Sequence, residues 1–188
     1  MEWCLEVMRA DCNTHFGGVR LIVLIAAIGA IVLGLLMVNH WSPKRVVARQ
    51  QIALIAALER RSAKRLDRLL APDYRDQWEF DREEMKLSVL DMGSQFILLT
   101  LLPSETTTTF GEGTAEVRTR FEVTGNGSPL AHEIIRKANR LKTPFVFHWE
   151  KQSAWPGDWK LTRIENPDLA TELHGYRPGD LRRAMENP

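Results

Sequence analysis

The stretch LIVLIAAIGAIVLGLLMV, Leu21 to Val38, runs for 18 residues without a charged or polar side chain. At about 1.5 Å of rise per residue such a helix spans about 27 Å, close to the roughly 30 Å hydrocarbon core of a bilayer. Arg20 closes one end, and Asn39, His40 and Trp41 close the other, with Trp41 where an interfacial aromatic sits. Ser42-Pro43 then breaks the helix. A cleaved signal peptide has a shorter apolar region followed by a small-residue cleavage pattern, and a buried core helix is rarely apolar on every face. The run therefore predicts a transmembrane helix over 21–41 behind a short flank, 1–20. It makes the chain a single-pass membrane protein with the lipid bilayer as a partner. Arg9 and Arg20 before the run nearly balance Lys44, Arg45 and Arg49 after it, so the positive-inside rule leaves open the side of the membrane. Ala26, Ala30 and Gly34 fall four apart, a small-residue stripe that would support a homodimer through the anchor.

The rest of the chain reads as one ordinary globular domain. A net charge of +1 gives no overall attraction to nucleic acid, and no nucleic-acid partner is expected. Both cysteines, Cys4 and Cys12, precede the apolar run, which leaves the body without a disulfide framework or a cysteine-bound zinc. The sequence holds no glycine-rich phosphate loop, paired-histidine spacing or serine nucleophile elbow, so neither a cofactor nor a metal is expected.

Along the body, VVARQQIALIAALER predicts an amphipathic helix with Val47, Ile52, Ile55, Ala56 and Leu58 inward. KRLDRLLA predicts a second helix that stops before Pro72. The basic run Arg60, Arg61, Lys64, Arg65 and Arg68 reads as a solvated face. In YRDQWEF, Tyr74, Asp76, Trp78 and Phe80 alternate with polar neighbours, the period of a short strand. Asp81 then caps a helix over REEMKLSVLDMGSQ, with Glu84 three residues on as in a capping box. Strands follow at Phe96–Leu102, ended by Pro103 with Thr106–Thr109 continuing it, and at Glu116–Thr124. Others follow at Phe145–Lys151 and within DWKLTRIEN. Asn126-Gly127 reads as a loop before a short helix that starts at Ser128-Pro129. The chain from Asn166 onward shows no sustained period and reads as a peripheral extension.

The stretches LDRLLAPDYRDQWEFDREE and FVFHWEKQSAWPGDWKLTRI resemble the nuclear transport factor 2-like superfamily, also called SnoaL-like or ketosteroid-isomerase-like. The resemblance covers roughly Val46 to Asp168. It implies an α+β domain over 44–168, in which a curved, mostly antiparallel sheet wraps the N-terminal helices into a cone, with 169–188 as a tail. The helix between the second and third long strands departs from the simplest pattern. Such folds host isomerases, dehydratases, epoxide hydrolases, transport adaptors and accessory domains, so the fold does not choose the function. Enzymes of this type bury an Asp, sometimes with His or Tyr, in an apolar cone. Here the counterparts are Asp76, between Tyr74 and Trp78, and His148.

Facing an apolar interior, Asp76 would be desolvated, its pKa raised, and it would serve as a general acid or base. Facing outward, it would pair with Arg75 or Arg82 and do no chemistry. Tyr74 is the candidate donor to a ligand oxygen, and Trp78, His148 and Trp149 are candidate ligand contacts. The reading that fits these features is a membrane-anchored cone domain that binds a small apolar ligand, or a protein, without turnover. The alternative is an isomerase- or dehydratase-like enzyme on an apolar substrate, with Asp76 as general base.

Overall fold

The structure, a computed structural model, describes residues 24–37, 40–170 and 176–180. The chain divides into two compact units, Met1–Ser42 and Pro43–Pro188. In the first, residues 24–37 are helical and their side chains are exposed. Among the described residues no helix is long and apolar enough to cross a membrane. The predicted span over 21–41 includes 21–23, 38 and 39, which lie outside the described residues, as does the flank 1–20.

The second unit is α+β, the class expected from its sequence. Helix α1 (Pro43–Glu59) opens on a proline, whose fixed φ and missing N–H suit the first turn of a helix. Its buried stripe is Val46, Val47, Gln51, Leu54 and Ala57, while Ile52 is 67% exposed. The stripe is thus rotated from the one hydropathy suggests, because Gln51 belongs to it. The Gln51 carbonyl accepts a bond from the buried Trp149 indole at 3.0 Å, which makes a polar side chain a core residue.

Helix α2 (Ala63–Leu69) buries Leu66 and Leu69 and ends where Ala71 N–H donates to Leu161 O at 2.9 Å. Helix α3 (Arg82–Ser94) starts with a complete capping box. Asp81 accepts from the Glu83 and Glu84 amides, and Glu84 accepts from Asp81 N–H at 3.0 Å. Arg61 is more than part of a solvated face. It holds φ at 52° and reaches the far end of α3, where its guanidinium donates to Gly93 O, Phe96 O and Ile97 O. A residue 32 positions before Gly93 thereby ties the end of α3 to the start of β1.

The sheet is antiparallel, ordered β1 (Phe96–Phe110), β2 (Thr114–Gly127), β3 (Phe145–Lys151) and β4 (Trp159–Glu165). Pro103 does not end β1 as its sequence suggests. It lies within the strand opposite Phe121, tolerated because β1 is an edge strand and one side of it needs no N–H donor. A register shift between Ser104 and Thr107, with Glu105 at φ 49°, bends the strand beyond it. Asn126-Gly127 is also strand and not loop, since Asn126 pairs with Leu98 and Gly127 with Phe96. A Cβ on Gly127 would stand 2.1 Å from Gln95 O, so glycine lets β2 pass close to the end of α3.

Helix α4 (Pro129–Ala138), capped by Ser128, packs on β2. Helices α1, α2 and α3 pack on one another, with α1 also against β1 and β4, α2 against β4 and α3 against β1. Every buried apolar side chain among the described residues falls between Val46 and Ile164. The Pro43–Pro188 unit therefore carries a complete core of its own.

Candidate ligand cavity

Residues 70–77 run beside β4. Ala71, Arg75 and Gln77 donate their N–H groups to Leu161 O, Thr162 O and Ile164 O. This is a loop and not the strand predicted over Tyr74–Phe80, because a turn at Asp76–Phe80 interrupts it. Asp76 builds that turn. Its Oδ1 accepts from Trp78 N–H at 2.9 Å and Phe80 N–H at 3.0 Å, and its own N–H donates to Phe80 O at 3.2 Å. Glu79 completes the turn at φ 63°, with its N–H on Asp76 O. The alternation still selects the inward pair, since Tyr74 is 2% and Asp76 1% exposed.

Among the described residues, Asp76 Oδ2 has one partner, the Tyr74 hydroxyl, at 3.5 Å. Burial pushes the Asp76 carboxyl up from its ordinary range, against the opposing pull of the Phe80 and Trp78 amides, Tyr74 and the Arg163 charge. Burial, then the Asp76 charge, raises the Tyr74 phenol well above its ordinary value.

Asp76 lies on the wall of a cavity of about 500 Å³, within the range of small-molecule sites. Trp78 and Phe80 from the loop, Met85, Ser88 and Met92 from α3, and Leu130 from α4 form most of the wall. Leu169, Ala170 and Tyr176, beyond the boundary at 168 expected from sequence, complete it. This part of the chain is tied down at several points. Trp78 Nε1 donates to Ala170 O at 2.8 Å, and Gln77 and Asn166 exchange bonds through the Gln77 amide and the Asn166 backbone. Asp168 accepts from the Lys142 and Thr143 amides, which hold its carboxyl below the ordinary range. Asp91, fully buried near the end of α3, accepts from Gly179 N–H at 2.6 Å and Tyr176 OH at 3.2 Å. Burial, reinforced by the Asp91 charge and opposed by Ser88, pushes the Tyr176 phenol up to about 12.

A second chamber of about 290 Å³ shares Trp78, Met85 and Met92 with the first. Among the described residues its lining is wholly apolar, from Leu58 on α1 through Phe96, Phe121, Phe147 and Ile164 on the sheet to Ile134 on α4. An apolar cavity of about 150 Å³ already stays dry and accepts a benzene-sized molecule, so a chamber of this kind suits an apolar group.

The structure thus brings Asp76, Tyr74 and Trp78 together and places His148 and Trp149 elsewhere. Neither of the latter lines these two chambers. Trp149 is core, and its indole is used by Gln51. His148 pairs with Glu165 at 3.0 Å, and that bond is the first cause holding the Glu165 carboxyl below its ordinary range. Of the described lining, sequence reasoning named only Asp76 and Trp78 as site residues and left out the α3 residues Met85, Ser88 and Met92, Leu130 on α4, and the returning segment with Leu169 and Tyr176. Ser88 was within reach, since Met85, Ser88 and Met92 recur at helical spacing. The tail residues carry no local signal of where they fold back.

No family model and no curated protein matches the sequence. Several solved structures are similar in outline. An NTF2-like protein from Cytophaga hutchinsonii is 15% identical over 65% of this chain and 95% of its own, with a TM-score of 0.47. A conserved protein from Planctomyces limnophilus is 17% identical over 65% and 93%, at 0.49. A proposed scytalone dehydratase from Novosphingobium aromaticivorans is 16% identical over 65% and 80%, at 0.46. All three scores fall below 0.5, and the chemistry of the cavity rests on its own geometry.

Proposed function

We propose that the Pro43–Pro188 unit is a nuclear transport factor 2-like domain that binds a small apolar ligand without turning it over, held at a membrane by the helix over 21–41. The observation that carries this reading is the cavity wall. Among the described residues it is apolar except for Asp76, Ser88 and Tyr176, and Asp76 already spends one carboxylate oxygen on two backbone amides. A general base needs a carboxylate free to take a proton and a second group to stabilise the charge that develops. Asp76 here serves as the hinge of its own loop. The membrane part of the proposal is supported by the uninterrupted apolar run Leu21–Val38 and by the exposure of its described side chains, Leu24 to Met37.

The isomerase- or dehydratase-like alternative draws on one observation, the burial-raised carboxyl of Asp76 beside the Tyr74 phenol. Native mass spectrometry of the Pro43–Pro188 fragment after exposure to a lipid extract separates the readings. Binding predicts an added mass of a few hundred daltons, released unchanged on denaturation. Release of a chemically altered molecule, with the alteration lost in Asp76→Asn, would support the enzyme. A fragment that stays empty would contradict both. The anchor is tested separately. The full chain should sediment with membranes and resist alkaline extraction, and a chain lacking 21–38 should not.

A further inference from the structure

We infer that the hollow between α1 and α2 binds a phosphate monoester through Arg65 and Arg68, at a site apart from the apolar cavity. The hollow measures about 480 Å³, within the range of small-molecule sites, and among the described residues it shares no lining residue with either chamber above. Gln50, Ala53 and Ala56 recur at three-residue steps on α1 and form one wall, with the two alanines too short to fill the space. Arg65, Arg68 and Leu69 on α2 form the other. Arg65 is partly buried there, and Arg68 is held through its backbone, where Lys160 Nζ donates to its carbonyl at 2.6 Å.

Most arginines of this fold are already engaged. Arg75, Arg82, Arg118, Arg120, Arg136 and Arg163 each pair with a carboxylate, and Arg61 is spent on three carbonyls. Among the described residues, no carboxylate or carbonyl takes the guanidinium of Arg65 or Arg68. Asp67, the carboxylate between them in sequence, is held by Arg82 and Lys86 on α3. Their placement does not serve the helix either. Lys64 and Arg65 stand in the first turn of α2, where the dipole favours acidic side chains. A guanidinium presents parallel N–H donors that match phosphate oxygens. A phosphate monoester carries about −1.5 to −2 charges at pH 7, so one such group matches two guanidiniums. The Gln50 amide on the opposite wall adds a neutral donor. A lipid head group such as phosphatidate and a soluble ester such as glycerol 3-phosphate share this chemistry.

The test is calorimetric titration of the Pro43–Pro188 fragment with glycerol 3-phosphate, beside sedimentation with phosphatidylcholine vesicles that carry phosphatidate or, at equal surface charge, phosphatidylglycerol. Binding of glycerol 3-phosphate supports the site and identifies a soluble ester as sufficient. Sedimentation with phosphatidate vesicles alone supports it and identifies a lipid head group. Arg65→Gln and Arg68→Gln should each weaken the positive arm by roughly tenfold or more. Ala53→Phe, which fills the hollow and leaves its charges, should do the same. Arg60→Gln removes a neighbouring exposed arginine outside the lining and should change binding by less than about twofold. No binding in either arm would overturn the inference. So would losses in Arg60→Gln equal to those of the lining variants, or equal sedimentation with phosphatidylglycerol, since both report surface charge alone. The apolar cavity is tested separately, and its ligand binding stands or falls without this site.

Discussion

The hydroxyl of Tyr74 stands 3.5 Å from Oδ2 of Asp76, with both side chains buried, while Oδ1 of the same carboxylate holds the Trp78 and Phe80 amides. One carboxylate therefore shapes a loop with one oxygen and meets the Tyr74 hydroxyl with the other.

Asp76→Ala removes the acceptor for two amides in the turn. An unsatisfied buried donor costs about 1–3 kcal/mol, so with two donors the variant should lose about 2–6 kcal/mol of stability. Asp76→Asn keeps an oxygen at that position and should lose less than about 1 kcal/mol. Denaturant unfolding of the fragment checks both. Equal losses for Ala and Asn would contradict the role assigned to Oδ1.

The same carboxyl gives a pH dependence of known sign. Burial raises its pKa, so the folded state holds the proton more tightly than the unfolded chain does. The resulting stabilisation is complete below about pH 4 and is lost as pH rises through the folded pKa. Asp76→Asn does not titrate. Its stability relative to wild type should therefore climb as pH rises above about 4, and paired unfolding curves in which it falls would contradict the assignment.

Arg61 and Gly93 form a coupled pair at the end of α3. A Cβ on Gly93 would meet Arg61 Cγ at 2.3 Å and Cδ at 2.5 Å, displacing the side chain that binds three carbonyls. Arg61→Ala should cost about 2 kcal/mol. Gly93→Ala should destabilise wild type, yet gain up to about 1 kcal/mol in the Arg61→Ala background through helix propensity. Additive effects in the double-mutant cycle would contradict the coupling.

How much of this was legible in the sequence depends on the range of the signal. The Asp81–Glu84 capping box and the Ser128-Pro129 helix start follow from local spacing, and both are seen, whereas spacing left the orientation of Asp76 open and its burial decides it. What local spacing misreads is set by distant partners. Gln51 is core because of Trp149, Pro103 continues a strand because that strand is an edge, and Gly127 stays in β2 because Gln95 and Phe96 lie against it. The candidate site divides in the same way. Asp76 and Trp78 belong to one turn, whereas the Leu169–Ala170 backbone and Tyr176 are brought to the cavity by bonds to Gln77, Trp78 and Asp91, which are distant in sequence.

Asp91 is the anchor for that returning segment. In Asp91→Ala the Gly179 amide loses its 2.6 Å acceptor and Tyr176 its phenol partner. Hydrogen exchange at the Gly179 amide should accelerate by at least tenfold, while amides within β3 keep their protection. Unchanged exchange at Gly179 would contradict the tie.

Following the Trp78 indole during a ligand titration tests the cavity itself. In the Pro43–Pro188 fragment, the Trp78 Nε1–H signal reports on the wall that both chambers share. Adding 1-decanol should shift it saturably, together with the methyls of Met85 and Met92, while the indoles of Trp149 and Trp159 stay in place. A Trp78 signal that does not move, or shifts spread evenly over all the indoles, would contradict a ligand cavity at this site.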